Sequence, residues 1–191
     1  MTVFARSLAA LLLLAAATAV QAEEASVPEP MQVETAVFAG GCFWCVEEAF
    51  DEVEGVLATT SGYTGGDVEN PSYEQVSAGG TGHYEAVRVR YDPEVVSYDS
   101  LLETFWHNVD PTDPDGQFCD QGSSYRSAIF WRTPAQREQA EASKAALEQD
   151  PDAPSPVTTE ILRAGAFYEA EDYHQDYYRK NPLRYRFYKT A

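Results

Sequence analysis

Positive charge is what this chain has least of: 13 Lys and Arg stand against 31 Asp and Glu, a formal net charge of −18 over 191 residues. Phosphate backbones and anionic lipid repel such a chain, which argues against nucleic-acid binding and stable membrane binding. Cysteine is nearly as scarce, with three residues in all. Cys42 and Cys45 make a single C-x-x-C pair and Cys119 stands alone, so the two pairs that usually mark a structural zinc module are missing, and no metal or cofactor is expected. Past residue 22 no apolar run is long enough to span a bilayer, and there is no internal repeat.

What is present begins with a secretory signal over residues 1–22. Arg6 supplies a positive start, Leu8 to Val20 an apolar run too short for a membrane span, and Val20-Gln21-Ala22 a small-residue cleavage site. The expected mature chain is secreted and periplasmic, and monomeric. Residues 23–32, rich in Glu and Pro, read as a disordered leader, and 33–191 as a single catalytic domain of ordinary size.

The organising stretch lies between Thr35 and Val53. A short apolar strand meets two glycines, Gly40-Gly41, and then Val46, Ala49, Phe50 and Val53 recur at helical spacing. Cys42 therefore opens a helix, where unpaired N–H groups and the helix dipole favour a thiolate, so its pKa is expected to fall. Phe43 and Trp44 follow at the first turn, where at least one ring should line a cleft beside the sulfur. The competing readings of this pair are an inert buried thiol, a plain disulfide or half of a zinc site.

A second strand runs from Gly55 to Tyr63 into a glycine-rich loop that continues to Tyr73. From His83 to Tyr91 the chain alternates, with Glu85, Val87, Val89 and Tyr91 on one face and Arg88 and Arg90 on the other. Glu85 thus continues a core-facing row, where desolvation raises a carboxyl pKa, unless it turns back to solvent or pairs with an arginine. Ser97 caps a helix striped by Leu101, Leu102, Phe105 and Trp106. A polar loop, residues 110–124, holds Cys119 and Asp120. A strand at 125–131, a helix opened by Thr133-Pro134 and running to Gln149, and a last strand at 157–162 complete the order. The pattern β-α-β-β-α-β predicts an α+β fold, a two-layer ferredoxin-like sandwich with an added helix and strand and a coiled C-terminal tail.

These residues resemble the A-type peptide methionine-S-sulfoxide reductases from about Val33 to Pro182. The matching pieces include Gly41-Cys42-Phe43-Trp44, Gly62-Tyr63-Thr64-Gly65-Gly66, Thr81-Gly82-His83-Tyr84-Glu85, Tyr125-Arg126-Ser127 and Glu171-Asp172-Tyr173-His174-Gln175. The resemblance implies thiol-dependent reduction of methionine sulfoxide in oxidised proteins and peptides, by way of a sulfenic acid and an intramolecular disulfide that a thioredoxin-like dithiol reduces. It places the nucleophile on Cys42, the acid on Glu85, the oxygen-binding phenols on Tyr73 and Tyr125, the active-site aspartate on Asp120 and the methyl cage on Phe43 and Trp44. The chemistry suits these residue types: the neutral sulfoxide needs its oxygen hydrogen-bonded or protonated before a thiolate attacks, and its methyl group needs an apolar slot.

The chain departs from the usual pattern by having Cys45 where glycine is common, Val109 in place of a histidine, and no cysteine in the tail. Two resolving thiols are then open. Cys45 lies on the same helical face as Cys42, and Cys119 lies on a loop beside Asp120. Cys119 is the expected partner, because the packed stripe from Val46 onward would hold Cys45 in place. A thioredoxin-like oxidoreductase would share the C-x-x-C but gives Glu85, Tyr73 and Asp120 no role.

Overall fold

The apolar run before the glycines folds as β1 (Glu34–Gly40), and the stripe after them as α1 (Phe43–Asp51). The chain continues through β2 (Val56–Thr64), a short α2 (Tyr73–Ser77), β3 (Tyr84–Tyr91) and α3 (Tyr98–His107). A small hairpin, β4 (Gly116–Gln117) with β5 (Asp120–Gln121), precedes β6 (Ser127–Trp131) and α4 (Pro134–Gln149). The last elements are β7 (Glu160–Arg163), β8 (Phe167–Glu169), α5 (Tyr177–Lys180) and α6 (Pro182–Lys189). The computed structural model describes residues 32–190. The expected signal peptide, and the expected leader up to residue 31, lie outside them.

Six strands form one sheet in the order β7-β6-β1-β3-β2-β8. The four central strands, β6-β1-β3-β2, pair antiparallel throughout, which is the ferredoxin-like arrangement: α1 carries the chain over one strand position and β3 returns to fill it. β7 joins β6 in parallel, and β8 joins β2 antiparallel.

The main core lies on the α1 and α3 face of the sheet. Phe38 of β1 stacks on Phe50 of α1 at 4.8 Å and on Phe105 of α3 at 5.5 Å between ring centroids. Val46 and Phe50 are buried as the helical spacing predicts, but Glu47 takes the place expected for Ala49. The reason is tertiary: α5 of the C-terminal segment packs against α1 and brings the Asp176 backbone N–H up to the Glu47 carboxyl. Ser97 caps α3, and Thr133 with Pro134 opens α4. A smaller cluster on the opposite face holds Val37, Tyr84, Ala86 and Phe130, so Tyr84 and Ala86 are buried as well as the Glu85 row.

Four boundaries differ from the sequence reading. Tyr73 opens a helix instead of closing a loop, because Ser72 and Gln75 form a reciprocal capping box. Tyr125 ends a single 3₁₀ turn before β6 instead of starting the strand. β7 begins at Glu160, since the Thr158 N–H is taken by the Pro111 carbonyl at 2.7 Å instead of a strand partner. The tail expected to be coiled carries two helices, α6 opening on Asn181-Pro182.

Candidate active site

The site is assembled where β1 ends. Gly41 has φ +83°, and a Cβ there would lie 2.6 Å from Gln117 Cβ, so only glycine lets the chain turn this tightly against the loop. Gln117 is itself buried and clamps that loop, its Oε1 accepting the Asp110 N–H and its Nε2 donating to the Asp110 carbonyl, both at 2.7 Å. Phe118 and Cys119 then form the two-residue tip between β4 and β5, with Phe118 in the left-handed region at φ 52° and 69% exposed. One glycine contact thus carries Cys119 and Asp120 to the start of α1.

Cys42 is the residue preceding α1, and the Cys45 and Val46 N–H groups bond its carbonyl. Its thiol is buried, Cys45 is half-buried and Cys119 exposed. All three line one cavity of about 280 Å³, together with Gln117, Asp120 and Tyr188. The expectation that Cys42 titrates low is not met. The Cys45 thiol beside it, burial, and the Glu85 carboxyl push Cys42 well up, whereas Cys45 drops to about 7 with Cys42, the Tyr185 phenol and Lys189 supporting its negative charge. In the folded chain the two thiols act on one another: each is the largest cause of the other's shift, raising Cys42 and lowering Cys45.

Glu85 reaches the same point from β3. Phe38 pairs with Val87 across β1 and β3, and two residues further along both strands bring the Glu85 side chain to the end of β1. It is 2% exposed, and its Oε2 accepts the Phe43 N–H at 3.1 Å. Burial chiefly, with Asp120 and Cys45 adding, raises its pKa to about 8 against the pull of that N–H. The core-facing carboxyl read from the alternation is therefore present and largely protonated at neutral pH.

Tyr73 and Tyr125 come from separate elements, α2 and the 3₁₀ turn before β6. The capping box presents Tyr73, whose N–H donates to Glu171 Oε1 at 2.8 Å, while the Tyr63 hydroxyl holds Glu171 Oε2 at 2.9 Å. Burial raises both Tyr73 and Tyr125, each also sensing the Glu85 carboxyl and the other's hydroxyl. Phe43 is 1% exposed and packed against Tyr63 and His174. Trp44 is the partly open ring of the two; one face stacks on Tyr177 at 3.7 Å and its Nε1–H donates to His174 Nδ1 at 3.2 Å.

Sequence reasoning missed α6. The Tyr188 hydroxyl donates to Asp120 Oδ2 and draws the Cys42 thiol downward; the Tyr185 hydroxyl and the Lys189 ammonium hold Glu48. The signal available was Asn181-Pro182, a cap followed by proline at the first helical position, with Tyr185 and Tyr188 on one face. The remaining tail motif proves structural in part, since the Gln175 amide bonds both the N–H and the carbonyl of Ser61 on β2. Among the described residues no group of three His, Cys, Asp or Glu side chains is arranged to hold a metal ion.

A thiol beside a protonated carboxyl, two phenols and an aromatic slot can reduce a neutral S–O bond. The comparisons agree with that chemistry. The family model described as peptide methionine sulfoxide reductase matches residues 34–191. The MsrA enzyme of Bacillus subtilis is 54% identical over 158 residues, which are 83% of this chain and 89% of that one. Among solved structures, methionine sulfoxide reductase A of Corynebacterium diphtheriae matches with a TM-score of 0.70 at 39% identity, covering 79% of this chain and 76% of that one. Reduced Mxr1 of Saccharomyces cerevisiae matches at 0.75 and 30% identity, covering 81% and 88%, and a further similar structure is Mxr1 in complex with Trx2.

Proposed function

Because this chain belongs to the peptide methionine sulfoxide reductase family and its activity is the reduction of methionine sulfoxide, we propose that Cys42 is the attacking thiol, Glu85 the acid, and Tyr73 and Tyr125 the donors to the sulfinyl oxygen. The observation that carries the assignment is the Glu85 carboxyl, buried, held by the Phe43 N–H and kept protonated next to the Cys42 sulfur. Cys42 loses its proton to the neighbouring Cys45 sulfur and attacks; Glu85 protonates the sulfinyl oxygen as the S–O bond breaks. Two electrons pass from the thiol to the substrate sulfur, the oxygen ends on Cys42 as a sulfenic acid, and methionine leaves. Phe43 and Trp44 receive the S-methyl group, and Asp120 orients the Tyr188 phenol over the sulfur.

A second thiol then condenses with the sulfenic acid, releasing water and forming a disulfide. We assign this to Cys119, whose exposed place at the hairpin tip lets it approach and leaves the disulfide open to an external dithiol. One observation favours Cys45 as well: it already contacts Cys42, which lowers its pKa to about 7. A thioredoxin-like dithiol is the reductant, a role supported by the yeast relative's complex with Trx2. The expected signal over residues 1–22 supports a periplasmic location, and the protein acts there as a monomer; a mature N-terminus other than near Glu23 would count against the location, and a dimer by light scattering against the monomer.

The deciding experiment is Cys42→Ser, assayed with dithiothreitol on each epimer of a peptide sulfoxide. Turnover of the S epimer is expected to vanish, because a hydroxyl there does not ionise. Retained turnover would remove Cys42 from the mechanism.

A further inference from the structure

The assignment of Phe43 and Trp44 to the methyl slot leaves a buried group beside them without a role, and any role for that group in the slot rests on the same assignment. The group is His174, 2% exposed. Its ring centroid lies 4.9 Å from that of Phe43 and 4.5 Å from that of Tyr73, and Tyr173 covers it at 4.2 Å. Nδ1 accepts the Trp44 indole N–H, whereas the buried Nε2 has no hydrogen-bond partner. An indole nitrogen can only donate, so Nδ1 must present its lone pair, and the neutral ring carries its one proton on Nε2. Burial acts in the same direction by lowering the His174 pKa.

We propose that His174 is a positioning residue that sets substrate specificity by fixing the orientation of the Trp44 indole. Tyr177, stacked on Trp44 with 8° between the planes, fixes the tilt of the indole but leaves it free to turn within its plane. The single directional bond at Nδ1 removes that freedom. The same imidazole packs on Phe43 and Tyr73, so it fixes the distance between the wall that receives the methyl group and the phenol that receives the oxygen. A sulfoxide is recognised by having both groups on one sulfur, and one rigid ring holds the two halves of the slot at that spacing. A buried, unpaired Nε2–H is the cost of committing the other nitrogen to Trp44.

The test compares two amides. In His174→Asn the side-chain oxygen can stand where Nδ1 stands and accept the indole N–H, whereas His174→Gln places its polar atoms near Nε2. KM and kcat are measured on a peptide S-sulfoxide with dithiothreitol, alongside the rate of Cys42 alkylation by iodoacetamide and the KM of Trp44→Ala. The expected result for His174→Gln is a KM raised roughly 10-fold, with kcat and alkylation within about 2-fold of wild type, and His174→Asn restoring most of the loss. Equal KM values for the two amides, or a fall in kcat or in alkylation instead, would overturn the inference. The readings fail separately: if Trp44→Ala leaves KM unchanged, the methyl slot itself is misplaced, and if Trp44→Ala raises KM while His174→Gln does not, only the role of His174 is lost.

Discussion

At the scale of single residues, the proposed mechanism depends on two groups whose acidities the fold has brought close together. Glu85 titrates at about 8 because it is buried, so the acid it supplies is lost as pH rises through that value. The thiol pair must first lose a proton, and the lower of its two values lies at about 7. The pH profile of kcat/KM is therefore expected to be a narrow bell, rising near 7 and falling near 8. Glu85→Gln should lower the rate by roughly 10²–10⁴-fold and abolish the alkaline limb; a variant that keeps both rate and limb would make Glu85 structural. Cys45→Ala tests the other half. Cys45 is the largest cause of the raised Cys42 thiol, so its removal should lower the Cys42 pKa and speed alkylation of Cys42 at pH 7, read by mass spectrometry of the labelled peptide.

At the scale of elements, α1 is held between the sheet and the tail. Glu47 is buried on the tail side, with Oε2 unpaired and a pKa raised from 4.5 to about 7 by burial. A raised carboxyl pKa means that the folded chain holds the proton more tightly than the unfolded one. Stability is then full below pH 4.5 and declines as pH rises to about 7. Glu47→Gln keeps an oxygen for the Asp176 N–H and removes the titration. The variant should therefore match wild type in urea melts at pH 4 and exceed it at pH 8 by about 2 kcal/mol, a figure discounted for solvent screening. A constant difference at both pH values would show that Glu47 titrates normally.

At the scale of the whole molecule, three distant segments meet at one cavity: the end of β1, the hairpin tip carrying Cys119, and α6. A disulfide between Cys42 and either other thiol requires Cα atoms within about 7 Å. Peptide mapping after one equivalent of sulfoxide is expected to find Cys42 joined to Cys119, and a Cys42–Cys45 bridge would assign resolution to the helix thiol. Because the tip holds an exposed Phe118 beside an exposed Cys119, the loop disulfide would present its sulfurs to the reductant with little rearrangement.

Local periodicity was enough to locate the ferredoxin-like core, because the two-residue repeat of Glu85, Val87 and Val89 and the helical stripe of Val46 and Phe50 each record which side faces the core. The grouping of Cys42, Glu85, Tyr73, Tyr125 and Asp120 came from the family resemblance and not from local pattern. The charge on each thiol was not legible, since a pKa depends on neighbours brought in by other segments: Cys45, Glu85 and Tyr188 act together on Cys42. Nor could the sequence show that Glu47 is buried or that Tyr188 meets Asp120. Spacing along one helix determines which residues share a face, but only the packing of the tail against α1 decides that the Glu47 flank is covered and brings the Tyr185 and Tyr188 phenols to the two thiols.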